Sequence, residues 1–147
     1  MKQIKTTFKK NKINYFINNY ETKINIAVHI RRENIDDLKV GGAGGRISPD
    51  SYFINIMNKI REKYKNSNKP LLFHIYSQGN ECDFNCYVND DVTFHINKDL
   101  FNTFTELVYA DILVMSASSL SYSAALLSDG EIYYKAFWHK PYKNWIG

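Results

Sequence analysis

Two adjacent guanidinium side chains, Arg31 and Arg32, follow directly on the apolar run Ile24-Asn25-Ile26-Ala27-Val28-His29-Ile30. A run of this length and composition reads as a strand buried on both faces, as in a parallel sheet. Ligands of open α/β sheets bind outside the carboxyl ends of the strands, so an arginine leaving such a strand is placed to meet an anion. A single arginine there would read as a surface charge closing a strand. His29-Ile30-Arg31-Arg32 together read as a site, with Arg31 and Arg32 expected to point to opposite sides because neighbouring strand residues alternate. A second candidate is Ser116-Ala117-Ser118-Ser119-Leu120-Ser121, which follows the apolar run Ile112 to Met115. A helix starting at Ser118 or Ser119 would offer free backbone N–H groups, the positive end of its dipole and hydroxyl donors to the same anion. A diphosphate between the two segments would meet a guanidinium fork on one side and helix-start donors on the other.

Other groups with chemical potential read less specifically. Gly41-Gly42-Ala43-Gly44-Gly45 is followed by Arg46-Ile47 and not by the Lys-Ser or Lys-Thr that a Walker loop requires. It stands about ten residues beyond the strand, too far for the tight turn of a dinucleotide fingerprint, and reads as a mobile loop able to fold over a ligand. Asp36-Asp37 and Asp90-Asp91 are adjacent acids without the spacing of a nucleotide-sugar metal site. Cys82 and Cys86 have no second ligand pair nearby and read as free thiols of a reducing compartment. His74 and His95 fall inside apolar runs and read as core or edge histidines.

The two site segments also carry a resemblance. His29-Ile30-Arg31-Arg32 resembles the H-x-R-R segment of GDP-fucose-dependent fucosyltransferases, the α1,6 and protein O-fucosyl groups with their bacterial relatives. Ala110 to Ser119 resembles the later strand and serine-bearing turn of that family, in the same order along the chain. The resemblance covers roughly residues 22 to 145, with motif content in these two places. It implies that Arg31 is the catalytic group at the departing β-phosphate, with Ser116, Ser118 and Ser119 at the phosphates, His29 near the nucleoside and Arg32 beside them. It implies no metal and no cofactor besides a GDP-sugar donor. Two positions depart from the pattern: Glu33-Asn34 replaces the common Gly-Asp or Thr-Asp, and Thr103 stands where the family's guanine-reading aspartate is expected. Asp99, one helical turn earlier, is the substitute that the sequence offers.

The chain of 147 residues, 44% hydrophobic and 23% charged, is expected to form one globular domain over 1–147. Its net charge of +4 owes much to Lys2, Lys5, Lys9, Lys10 and Lys12, so it describes the amino terminus more than the whole surface. No apolar run reaches the length of a membrane span and no signal-peptide core follows the first lysines, which together with the free thiols gives a cytoplasmic expectation.

The elements that must position the site follow from periodicity. Residues 1–21 carry an amphipathic stripe, with Ile4, Phe8, Ile13, Phe16, Ile17 and Tyr20 on one side, and are expected to form a helix on the sheet edge. Ser48-Pro49-Asp50 reads as a helix start with Ser48 as the N-cap, opening a helix to about Lys65. Strands are expected at Leu71–Tyr76, Val92–Ile96, Ile112–Met115 and Ile132–Tyr134. Asp99 is expected to cap a helix burying Leu100, Phe101, Phe104, Leu107 and Val108. A further helix would run to Leu127 and stop at Gly130 in the left-handed conformation. The aromatic tail, 136–147, is expected to fold back across the sheet.

Strands alternating with helices predict a Rossmann-like, three-layer α/β domain with a mainly parallel sheet of about five strands. The resemblance makes this the nucleotide-sugar-binding half of a GT-B glycosyltransferase, transferring fucose or a related sugar to a glycan or protein hydroxyl. Chain length leaves no residues for an acceptor-binding half, so activity is expected to need a second domain, a partner chain or a homo-oligomer. A non-catalytic nucleotide-sugar or glycan-binding module is the alternative. A nucleic-acid binder is weaker, because the lysines are segregated and no recognised motif is present.

Overall fold

The computed structural model describes residues 22–42 and 44–147; the helix expected over 1–21 lies outside them. Among the described residues five strands form one parallel sheet: β1 (Ile24–His29), β2 (Leu71–Ser77), β3 (Val92–Ile96), β4 (Ile112–Val114) and β5 (Glu131–Tyr133). Their spatial order is β3-β2-β1-β4-β5, the order of a doubly wound, Rossmann-like sheet. The helices are α1 (Ile35–Lys39), α2 (Asp50–Lys63), α3 (Leu100–Tyr109) and α4 (Ser119–Leu127).

Alternation along β1 sorts the core into two layers. Ile26 and Val28 face Phe53, Ile56, Met57 and Ile60 of α2, together with Phe73 and Ile75 of β2. Ala27 faces the other way, toward Leu107 and Val108 of α3 and Ala124 and Ala125 of α4. The sheet grows from β1 to β3 with α2 on one face, then reverses to β4 and β5 with α3 and α4 on the other. Crossovers of one hand require this exchange of faces when the direction of growth reverses. The reversal opens a crevice between the carboxyl ends of β1 and β4.

Several local expectations are corrected. Ser48 does not cap α2: the helix begins at Asp50 behind Pro49 with no side-chain cap, and the Ser48 hydroxyl is buried without a partner. Leu100 and Phe101 are 68% and 66% exposed, whereas Thr103, Thr105 and Glu106 are buried. The stripe thus turns polar where α3 crosses the sheet, and Lys98 Nζ, 2.5 Å from Glu106, makes the buried carboxylate tolerable. Gly130 has no left-handed φ; a side chain there would stand 2.6 Å from the carbonyl oxygens of Ala110 and Asp111, so close backbone approach demands the glycine. Among the described residues the tail pairs with the sheet edge only at Ile146, while Phe137 and Trp145 pack on the α3 and α4 side of the core. Tyr134 N–H donates to Ile146 O, Ile146 N–H donates to Ile132 O, and Trp145 packs on Tyr122 and Tyr134. Edge strand β5 thereby gains partners for backbone groups that would otherwise invite foreign pairing.

Candidate functional site

The residues between β1 and α1 build one wall of the site. Arg31 and Arg32 lie past the last residue of β1, so strand alternation no longer separates them, and both line the same cleft. Their guanidinium groups nevertheless go to different partners. Arg31 Nη2 donates to Asp37 Oδ1 at 2.5 Å, and Arg32 Nη2 donates to Asp50 Oδ1 at 2.6 Å while lying 4.9 Å from the Phe84 ring centroid. Tyr87 O–H also donates to Asp50. The short helix α1 was not legible as a helix. Its Asn34 and Asp37 form a capping box in which Asn34 Oδ1 accepts from Asp37 N–H and Asp37 Oδ2 accepts from Asn34 N–H. Burial raises the pKa of the Asp37 carboxyl, but the Asn34 N–H and the Arg31 and Arg46 charges outweigh it and hold the group below the usual carboxylate range.

The opposite wall comes from the turn after β4. Ser118 is the N-cap of α4, accepting from Leu120 N–H at 3.3 Å, as a serine preceding a helix should. Ser121 Oγ donates back to the Ser116 and Ser118 carbonyls, tightening the turn. Ser116 is fully buried, and its Oγ shares a 3.0 Å hydrogen bond with His29 Nδ1, joining the ends of β1 and β4 at the crevice. Burial, reinforced by the Arg31 charge, lowers the His29 pKa to about 4, so the imidazole is neutral at pH 7.

The cleft between these walls has a volume of about 260 Å³. His29, Arg31, Arg32, Thr103 and Ser118 of the sequence candidates line it. Ser116 sits behind His29, and Ser119 is exposed at the first turn of α4. Asp99 is taken up in capping α3, where it accepts from Asn102 N–H and Asn102 Nδ2.

Sequence reasoning missed Lys98, Ser77, Gln78, Leu100 and Leu120, which also line the cleft. The rule that led to Arg31 would have found three of them, because Ser77 ends β2, Gln78 follows it, and Lys98 lies just past the end of β3. Each cation in the cleft is held by a carboxylate outside its lining: Arg31 by Asp37, Arg32 by Asp50 and Lys98 by Glu106. The cleft therefore presents positive charge whose orientation is already set, which suits an anionic ligand.

His74 and His95 stay apart from this lining. His74 Nε2 meets Asn25 Oδ1 and His74 Nδ1 meets His95 Nε2, each at 3.0 Å, which agrees with a structural role. Cys82 and Cys86 are free and exposed. Among the described residues no group of three His, Cys, Asp or Glu side chains is placed to hold a metal, and no helix is long and apolar enough to cross a membrane.

No protein-family model matches the chain, and no curated protein matches it. Among solved structures it is similar to POFUT1 in complex with GDP, with 15% identity and a TM-score of 0.49 over 87% of this chain and 44% of that one. A second crystal form of the same complex gives 15% identity and a TM-score of 0.45 over 85% and 42%. The chain spans less than half the length of these structures.

Proposed function

We propose that the chain binds a nucleoside diphosphate sugar in the cleft between β1 and β4, as a fucosyltransferase-like, metal-independent glycosyltransferase using GDP-fucose or a related GDP-sugar. The observation that carries this reading is the convergence of Arg31, Arg32, Lys98 and the capped start of α4 on one cleft at the topological reversal of the sheet. A diphosphate would lie between the guanidinium groups and the first-turn N–H groups of α4. Departure of the sugar leaves negative charge on the β-phosphate, and Arg31 would lower the barrier by meeting charge that grows in the transition state. Ser118 adds a hydroxyl, whereas Ser119, exposed, contributes its backbone N–H. Leu100 and Leu120 supply the apolar surface a base needs, and Thr103 a polar group beside it. Asp99, committed to its cap, is left out of base reading. The acceptor would be a glycan or protein hydroxyl, presented by a second domain, a partner chain or a second copy.

Calorimetric titration of GDP, GMP, UDP, guanosine and GDP-fucose into wild type and Ser118→Ala tests this reading. GDP and GDP-fucose are expected to bind more tightly than guanosine, and Ser118→Ala to weaken GDP more than guanosine. A wild-type chain that binds none of the diphosphates sinks the proposal. Release of GDP from GDP-fucose that depends on added glycan acceptors separates a transferase from a binding module.

A further inference from the structure

Arg46 ends the glycine-rich segment, and its Nη2 donates to Asp37 Oδ1 at 2.9 Å, the same oxygen that Arg31 Nη2 reaches at 2.5 Å. The Asp37 side chain is only 6% exposed, and the capping box fixes its carboxylate, so this oxygen is a rigid joint between two guanidinium groups. Arg46 does not line the cleft, and Arg31 does. On its outer side the Arg46 guanidinium lies 5.8 Å from the centroid of the Trp138 ring, within cation–π range. Trp138 is 63% exposed, yet its segment is tethered: Tyr122 O–H donates to Lys140 O, Tyr134 O–H donates to His139 O, and the Phe137 ring packs against Tyr122. The chain reaches Arg46 through Gly41, Gly42 and Gly44, all at positive φ, and a Cβ on Gly42 would stand 2.8 Å from Glu33 Oε1. The glycines thus serve to fold Arg46 back onto the α1 cap.

We propose that Arg46 and Trp138 are positioning residues for Arg31, acting through Asp37, so that the carboxy-terminal aromatic segment sets the anion affinity of the cleft. A carboxylate shared by two arginines binds neither as tightly as it would bind one. Only Nη2 of Arg31 is bonded to Asp37, and its Nε is buried, closed to solvent and without a partner. Without Arg46, Asp37 has Arg31 as its only guanidinium among the described residues and holds it more tightly. A more tightly held Arg31 is less free to meet an incoming phosphate. Without Trp138, Arg46 loses the surface that directs it toward Asp37.

This inference rests on the reading of Arg31 as a phosphate ligand, and its test separates the two. GDP affinity is measured for wild type, Arg31→Ala, Arg46→Ala, Trp138→Ala, Trp138→Phe and the double variant Arg31→Ala/Arg46→Ala. Solvent exchange of the Arg31 Nε–H is followed by NMR in the ligand-free proteins. Arg46→Ala and Trp138→Ala are expected to weaken GDP roughly 5- to 20-fold, inside the range of couplings between residues in one charged network. Trp138→Phe should recover most of the loss, because phenylalanine still offers a ring face. In the Arg31→Ala background, Arg46→Ala should cost less than about twofold, since a group acting through Arg31 has nothing left to act on. Arg31 Nε–H exchange should accelerate in Arg46→Ala and Trp138→Ala. An undiminished Arg46→Ala effect in the Arg31→Ala background overturns the proposal, as does unchanged exchange in both single variants. If wild type fails to bind GDP, the phosphate reading falls and the exchange measurement alone decides the coupling.

Discussion

Arg31 and Arg32 are adjacent, line one cleft and each hold a carboxylate, yet the structure assigns them different consequences on truncation. Arg31→Ala leaves Asp37 with Arg46 at 2.9 Å and the Asn34 N–H at 3.1 Å, so the α1 cap keeps its partners. Stability should change little, by about 0.5 kcal/mol or less. The ligand, however, loses a charge-assisted contact of about 1.5–3 kcal/mol, or roughly 10- to 150-fold in GDP affinity.

Arg32→Ala has the opposite profile. It removes the cation over Phe84, about 0.5–1 kcal/mol, and an ion pair to Asp50, whose side chain is 37% exposed and whose pairing is therefore screened to below about 1 kcal/mol. The combined loss of roughly 0.5–2 kcal/mol should lower Tm by about 2–7 °C for a chain of this size. Both guanidinium groups are held by carboxylates, but the family resemblance assigns Arg31, and not Arg32, to the departing phosphate, so GDP affinity should fall far less than in Arg31→Ala. Calorimetry with GDP and thermal denaturation, run on both variants, give the crossed pattern: affinity lost with Tm kept for Arg31→Ala, Tm lost with most affinity kept for Arg32→Ala. Equal affinity losses from both folded variants would refute the assignment.

His29 is neutral in the folded chain, with its pKa lowered to about 4 by burial and then by the Arg31 charge, whereas in the unfolded chain it titrates near 6.5. Below pH 6.5 the unfolded state takes up a proton that the folded state refuses, so stability should fall as pH drops from about 6.5 to about 4, by up to about 3 kcal/mol for this group. His74, also lowered to about 4, adds to the same window; a Tm that stays flat across it, or a slope that His29→Gln leaves untouched, would contradict the buried neutral imidazole. Gly130→Ala places a methyl group 2.6 Å from two backbone carbonyl oxygens that no side-chain motion can relieve. It should cost about 3 kcal/mol, read as a fall in the midpoint of chemical denaturation, and an unchanged midpoint would show that the backbone yields there.

Features of this protein encoded by near neighbours were legible in the sequence. The apolar runs mark all five strands to within a residue or two; in β1 and β4 burial on both faces leaves a nearly continuous apolar stretch, whereas edge strand β3 is only half-buried. Asp99 and Ser118 mark the starts of α3 and α4 through bonds to N–H groups two or three residues away. Thr103 came only from the family resemblance, whereas the rule that ligands meet the carboxyl ends of parallel strands singled out Arg31, Arg32 and Ser118 with the neighbouring His29. It would have reached Ser77, Gln78 and Lys98 had it been applied to β2 and β3.

Other features depend on groups that meet only after folding. Leu100 and Phe101 fit an apolar stripe, yet they are exposed and Glu106 is buried, because Lys98 and the sheet surface decide that face. Gly130 resembles a helix stop by position, but it is required by two carbonyls belonging to the turn before β4. The pairing of Arg31 with Asp37 needs α1, a five-residue helix too short to leave a periodic signal and held by its capping box. Above all, His29 and Ser116 stand 87 residues apart and meet at 3.0 Å only because β4 inserts next to β1. Hydrophobic periodicity states that each strand is buried and does not state beside which strand. That choice belongs to the packing of the whole sheet, and it places the arginines that follow β1 opposite the serines that follow β4.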